Sequence, residues 1–156
     1  MNITKQQEYD EMLPQLAALI AGEHEEMSVL ANVCAVLKER FGWFWVGFYL
    51  AREGELRLGP FQGSLACMHI AFGRGVCGTA FERKESIVVD DVEQFPGHIA
   101  CSNLSRSEIV VPLFDSTKQP VGVLDIDSTE LATFDETDRI NLQRVCQLIS
   151  ETLYKR

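Results

Sequence analysis

At 156 residues the chain is long enough for one domain whose single core buries about two-thirds of the unfolded surface. Hydrophobic residues at 46% and charged residues at 24% are the proportions of a globular protein and not of a disordered one. The net charge of −9, from 23 acidic and 14 basic side chains with no Lys/Arg cluster, offers nothing to phosphate backbones or anionic lipid, so neither nucleic acid nor a membrane is an expected partner.

The opening stretch MNITKQQEYDEMLPQL has no basic segment followed by an apolar one, and no apolar run reaches the ~18 residues of a membrane span. The expected location is therefore the cytoplasm, where thiols stay reduced. Residues 4–21 read as a helix with Tyr9, Met12, Leu13, Leu16, Leu19 and Ile20 at helical spacing, ended by Ala21-Gly22. A second helix spans about 25–41, with Leu30, Val33, Cys34, Leu37 and Phe41 on one stripe and Gly42 closing it. WFWVGFYLA (43–51) is an aromatic, β-branched strand, turned by Glu53-Gly54-Glu55 into a second strand over 56–61. A short strand at 69–72, a short helix at 76–83 and a strand at 86–90 follow. Residues 91–105 form a long irregular segment of the kind that carries function.

Strands at 108–114 and 121–128 form a hairpin around DSTKQP. The last helix, 133–154, starts where Thr133 and Glu136 have capping-box spacing, and turns Ile140, Leu142, Val145, Cys146, Ile149 and Leu153 inward. Helices, then mostly antiparallel strands, then a helix make an α+β domain with helices packed on a sheet.

The five cysteines separate by surroundings. Cys34 and Cys146 lie within apolar helical stripes and read as small buried hydrophobes. Cys67, Cys77 and Cys101 lie in loops or at loop–helix junctions. Their spacings match no short paired-ligand pattern and no histidine pair stands at zinc spacing, so no metal is expected. Thiol redox chemistry and scattered thiols without a role both remain open for these three. Cys101 sits in FPGHIACSNLSRSEIVVPL (95–113), a polar loop beside a buried-looking strand, which is where a cysteine is placed to react. His98, three residues earlier, is positioned to lower its pKa.

Carboxylates gather downstream. In VGVLDID (121–127) the alternation of a strand puts Val121, Val123, Asp125 and Asp127 on one face. If Phe114 pairs near Val121, Glu108 lies opposite Asp127 or one step away. Three carboxylates at that range disfavour full ionisation, so one can stay protonated as an acid, or the cluster can bind an ammonium group. Solvated acids at an exposed strand end are the other reading. Trp43, Trp45, Gly47 and Tyr49 share one face of the aromatic strand and suit a partly polar pocket. Thiol, acids and aromatic wall together suit a small sulfur-containing zwitterion.

GPFQGSLACMHIAFGRGVCGTA (59–80), FPGHIACSNLSRSEIVVPL and GVLDIDS (122–128) closely resemble the free methionine-(R)-sulfoxide reductases, a stand-alone branch of the GAF-domain fold. The resemblance implies a single GAF domain over 1–156: a six-stranded antiparallel sheet flanked by helices, with an N-terminal helix in 1–22 and the C-terminal helix 133–154. It implies reduction of free L-methionine-R-sulfoxide, with Cys101 as catalytic cysteine, Cys67 as resolving partner and Cys77 as a third thiol in recycling. Glu108, Asp125 and Asp127 match the acids that bind and activate substrate, and Trp45 and Tyr49 its aromatic contacts. Thioredoxin is the implied reductant, with no metal or organic cofactor, and a homodimer is the implied assembly. The alternatives are a non-catalytic GAF module that binds a small molecule or senses redox state, and a thiol peroxidase.

Overall fold

A computed structural model of the chain describes residues 3–98 and 104–155. Helix α1 (Lys5–Ile20) starts with a reciprocal cap. Thr4 Oγ1 accepts from the Gln7 N–H at 3.1 Å, and Gln7 Oε1 accepts from the Thr4 N–H at 2.8 Å. Its buried stripe is Tyr9, Met12, Leu16 and Ile20. Leu19, expected on that stripe, is exposed because it stands roughly 100° around the helix from Ile20. Helix α2 (Glu26–Phe41) ends at Gly42, whose φ of +69° is left-handed and whose N–H donates to the Lys38 carbonyl.

Strands β1 (Trp45–Arg52), β2 (Glu55–Gln62) and β3 (His69–Ala71) come next, then helix α3 (Gly75–Arg83) and strand β4 (Ile87–Val89). Strands β5 (Ser107–Phe114) and β6 (Pro120–Ser128) lead into helix α4 (Glu136–Leu153). The strands make one antiparallel sheet in the order β3-β2-β1-β6-β5-β4. The expected six-stranded antiparallel sheet is met.

Alternation along the three central strands divides the core in two. Val46, Phe48 and Leu50, with Ile109, Val111, Leu113, Leu124 and Ile126, pack against α1, α2 and α4. Trp45, Tyr49, Val110 and Val123 face the other way, toward α3 and β3. Trp43, expected beside Trp45, instead precedes the strand. It stacks on Phe41 and joins the helix-side core, so the polar-edged aromatic face begins at Trp45.

Helix α4 begins two residues beyond Thr133-Phe134 and not at the Thr133–Glu136 box. Asp135 caps it, accepting from the Thr137 and Asp138 N–H groups while Asp138 Oδ2 accepts from the Asp135 N–H. A carboxylate is a stronger acceptor at the positive end of a helix than a hydroxyl, and it wins. Thr133 donates to Ser128 Oγ at 2.6 Å instead. The buried side of α4 runs through Asp138, Asn141, Leu142, Val145, Cys146 and Ile149, which leaves Ile140 outside it at 46% exposure. Among the described residues no helix is long and apolar enough to cross a membrane.

Candidate active site

The sheet register assembles the acid row. Glu108 pairs with Asp127, Val110 with Asp125, and across the next strand Asp127 faces Trp45 and Asp125 faces Gly47. The expected pairing of Glu108 with Asp127 therefore holds, with Phe114 opposite Pro120 across a register shift at the hairpin end. Side chains at 45, 108, 125 and 127 leave the α3 side of the sheet beside one another.

That row is not an exposed strand end. Glu108 and Asp125 are each only 5% exposed, and Asp127 is half-buried. The strand ends that carry them are tied down by hydroxyls: Ser107 Oγ donates to the Glu130 carbonyl at 2.6 Å, and Ser128 Oγ accepts from both the Glu130 N–H and Thr133. These bonds fix the first residue of β5 and the last residue of β6 against the turn that follows β6, and so fix the carboxyls one position away.

Trp45, Tyr49, Cys77, Glu108, Asp125 and Asp127 line a cavity of about 60 Å³, closed on one side by residues 64–66. That volume admits a handful of waters. Trp45 Nε1 donates to the Ser64 carbonyl at 2.9 Å, and Tyr49 Oη donates to the Cys67 carbonyl at 2.9 Å. The two aromatic rings, 6.1 Å apart and stacked, thus form one wall and also hold the segment that contains Cys67. Trp45 lies over Gly47, where an added Cβ would stand 2.3 Å from the indole. No residue but glycine leaves room for that ring.

Burial dominates the electrostatics. Desolvation drives the Glu108 and Asp127 carboxyls well above the ordinary carboxylate range, and the Asp125 charge beside them adds to the shift. Asp125 is also raised by desolvation, against hydrogen bonds to Glu108 and Cys77 that favour its ionised form. Burial and mutual repulsion together disfavour full ionisation of the row. Among the described residues, Asp125 Oδ1 is buried with no hydrogen-bond partner. A buried carboxylate oxygen left unpaired is costly, and a donor arriving in the cavity removes that cost.

The five cysteines fall as follows. Cys34 and Cys146 are buried among helix-side apolar residues, with burial pushing the Cys34 thiol up to about 12. Cys67 is half-buried under Tyr49. Cys77 is buried near the start of α3, its thiol raised by desolvation and by Asp125 and Glu108. Cys101, the expected nucleophile, lies outside the described residues. His98 and Ser105, on either side of that segment, both line the cavity. Desolvation lowers the His98 pKa, and its Nε2 stands 3.8 Å from Glu108 Oε1.

The GAF-domain family model matches residues 23–153. This chain belongs to the GAF domain family. The GAF protein is 52% identical over 147 residues to GAF domain-containing protein A of Dictyostelium discoideum, covering 94% of this chain and 92% of that relative. It is 45% identical over 152 residues to the free methionine-R-sulfoxide reductase of Escherichia coli (strain K12), covering 97% and 92%. The X-ray structure of free methionine-R-sulfoxide reductase from Neisseria meningitidis in complex with its substrate superposes with a TM-score of 0.94 at 52% identity, over 97% of this chain and 92% of that one. The GAF protein is thus closely related to free methionine-R-sulfoxide reductases.

Two features of the site were not read from the sequence. Gly47 counted only as a position on the aromatic face, although the strand's one side-chain gap beside Trp45 was visible. Cys77 matches a third recycling thiol by resemblance, and the position of its sulfur among the acids is what the sequence does not reveal. Cys77 Sγ, a Glu108 carboxyl oxygen and an Asp125 carboxyl oxygen all stand within 4.8 Å of one another. Spacing rules test ligands that are neighbours in sequence, and these three come from α3, β5 and β6.

Proposed function

We propose that the protein reduces free L-methionine-R-sulfoxide to L-methionine through thiol chemistry at this cavity. The observation that carries the reading is the buried acid row facing Trp45 and Tyr49, with the partnerless Asp125 Oδ1 at its centre. A primary ammonium supplies the donors that Asp125 lacks, and the aromatic wall suits both a cation and a sulfur atom. The relatives named above support the substrate. A peptide bond on either side of methionine sulfoxide would remove a charge that a site recognising the free amino acid relies on, so peptide-bound substrate is expected to be rejected.

In this reading the Cys101 thiolate attacks the sulfoxide sulfur while Glu108 or Asp127, each held protonated by burial and by its neighbours, delivers a proton to the sulfoxide oxygen. The protonated oxygen then moves from the methionine sulfur to Cys101 Sγ as the bond between the two sulfurs breaks, so methionine departs with the electron pair and Cys101 is left as a sulfenic acid. The Cys67 thiol then displaces water to give a disulfide, which a dithiol protein such as thioredoxin reduces by exchange.

The test is turnover with thioredoxin on four substrates: R and S epimers, each free and peptide-bound. Consumption of the free R epimer alone is expected. Saturable binding of that epimer without consumption would instead establish a sensor. Activity on hydroperoxides that survives Asp125→Asn and Asp127→Asn would establish a peroxidase, which needs no acid row.

A further inference from the structure

We propose that Cys77, Glu108 and Asp125 form a binding site for a thiophilic divalent cation such as Zn²⁺, whose occupancy excludes substrate from the cavity. Only the second half rests on the sulfoxide-reductase reading.

The donor atoms lie within 4.8 Å of one another. Zinc holds thiolate sulfur at about 2.3 Å and carboxylate oxygen at about 2.0–2.2 Å, so donors around one ion stand about 3.5 Å apart. The donors must therefore draw together by about 1 Å or somewhat more, a shift of the scale that carboxyl side-chain torsions supply. The three elements are also held in place. Glu108 and Asp125 sit on neighbouring strands of a fixed ladder. Helix α3 cannot draw away easily, because Gly78, next to Cys77, presses so close to the sheet that a Cβ there would stand 2.5 Å from the Ala71 carbonyl.

Two independent features point to a cation and not to a self-contained cluster. Asp125 Oδ1 is buried and has no hydrogen-bond partner among the described residues, which leaves a buried acceptor for an incoming ligand. The set also mixes sulfur with oxygen. An acid row alone would suit Mg²⁺ or Ca²⁺, whereas a buried cysteine inside it selects Zn²⁺ or Cd²⁺. Three protein donors with the fourth position toward a cavity describe an exchangeable site, open to a water. Binding exchanges protons for the ion: the Cys77 thiol proton, and any proton held on the Glu108 or Asp125 carboxyl, leave to solvent as the thiolate and carboxylates take up Zn²⁺. The cation then occupies the Asp125 oxygen that the substrate ammonium uses, so the two ligands are mutually exclusive.

The experiment titrates the reduced, metal-free protein with Cd²⁺, followed by the thiolate-to-cadmium ultraviolet band, and with Zn²⁺ against a chromophoric chelator. One ion per chain is expected. Cys77→Ser should abolish the band and weaken Zn²⁺ by at least about tenfold, and Asp125→Asn should weaken it comparably, with circular dichroism reading the fold separately. The double variant Cys67→Ser/Cys101→Ser should keep both band and affinity. Free methionine-R-sulfoxide should raise the apparent Kd for Zn²⁺ in proportion to its concentration. Absence of saturable binding in the wild type overturns the site, as does a band that survives Cys77→Ser or vanishes in the double variant. The wild-type titration decides even if a variant fails to fold. An apparent Kd indifferent to the sulfoxide overturns the exclusion. None of these readouts requires turnover, so failure of the reductase reading is scored separately by the four-substrate assay.

Discussion

Two buried carboxylates on opposite sides of the sheet show how the same group is used for two ends. Asp138, fully buried where α4 meets α1, accepts from Lys5 Nζ at 2.6 Å, from Tyr9 Oη at 2.7 Å and from the Asp135 N–H at 3.0 Å. Asp125, almost as deeply buried, has one oxygen with no partner among the described residues and two other carboxyls close by. At Asp138 the protein itself completes the hydrogen bonding, so the charge joins a helix at one end of the chain to a helix at the other. At Asp125 completion is left to whatever enters the cavity. A satisfied buried charge stabilises a fold, and an unsatisfied one stores free energy for binding.

The largest expected effect separates the two in activity. Asp125→Asn should lower turnover of free methionine-R-sulfoxide by about 10²- to 10⁴-fold while the protein melts no lower than wild type. Asp138→Ala should do the reverse, costing about 3 kcal/mol in urea denaturation with turnover per folded molecule unchanged, because Tyr9 Oη is left buried without an acceptor. Loss of stability in both variants alike would erase the distinction.

The pH dependence of stability sharpens it further. Glu108, Asp125 and Asp127 are harder to ionise folded than unfolded, so the native state binds more protons. Their contribution is fully present below the ordinary carboxylate pKa of about 4 and declines as pH rises from there toward the raised native values. Denaturant midpoints measured from pH 4 to 8 should therefore fall more steeply in wild type than in Glu108→Gln, which is neutral throughout. A parallel pair of curves would show that the row is not desolvated in solution. The smallest effect is Tyr9→Phe, which removes one of three donors to Asp138 and should cost about 1 kcal/mol in the same denaturation.

Strand alternation was enough to place Asp125 and Asp127 on one face, and hairpin arithmetic was enough to bring Glu108 opposite Asp127, because antiparallel pairing converts sequence separation directly into position. Alternation does not say that both faces of the sheet are covered, so a solvated row is an alternative that only the packing of α3 over β5 and β6 removes. Trp43 misled because a strand's first residue carries no mark of where pairing begins. Thr133 misled because a hydroxyl and a carboxylate two residues apart both satisfy a capping pattern, and only tertiary contact to Ser128 and Asp138 decides between them. Cys77 was legible as a residue apart from the helical stripes, but its neighbours come from strands thirty and more residues away, where no local rule reaches.

Gly47 has a consequence for anyone who would re-engineer the cavity. Its missing methyl is what lets the Trp45 indole lie flat across the sheet beside the acids. A bulkier sulfoxide cannot be accommodated by trimming position 47, which has nothing left to trim. Alanine there would strike the ring and drive it into the volume the ligand needs. Room must come from Trp45 itself, at the expense of its bond to the Ser64 carbonyl and therefore of the segment that carries Cys67. Under the proposed function, substrate scope and recycling are coupled through one indole, and a variant library that widens the first should be screened for damage to the second.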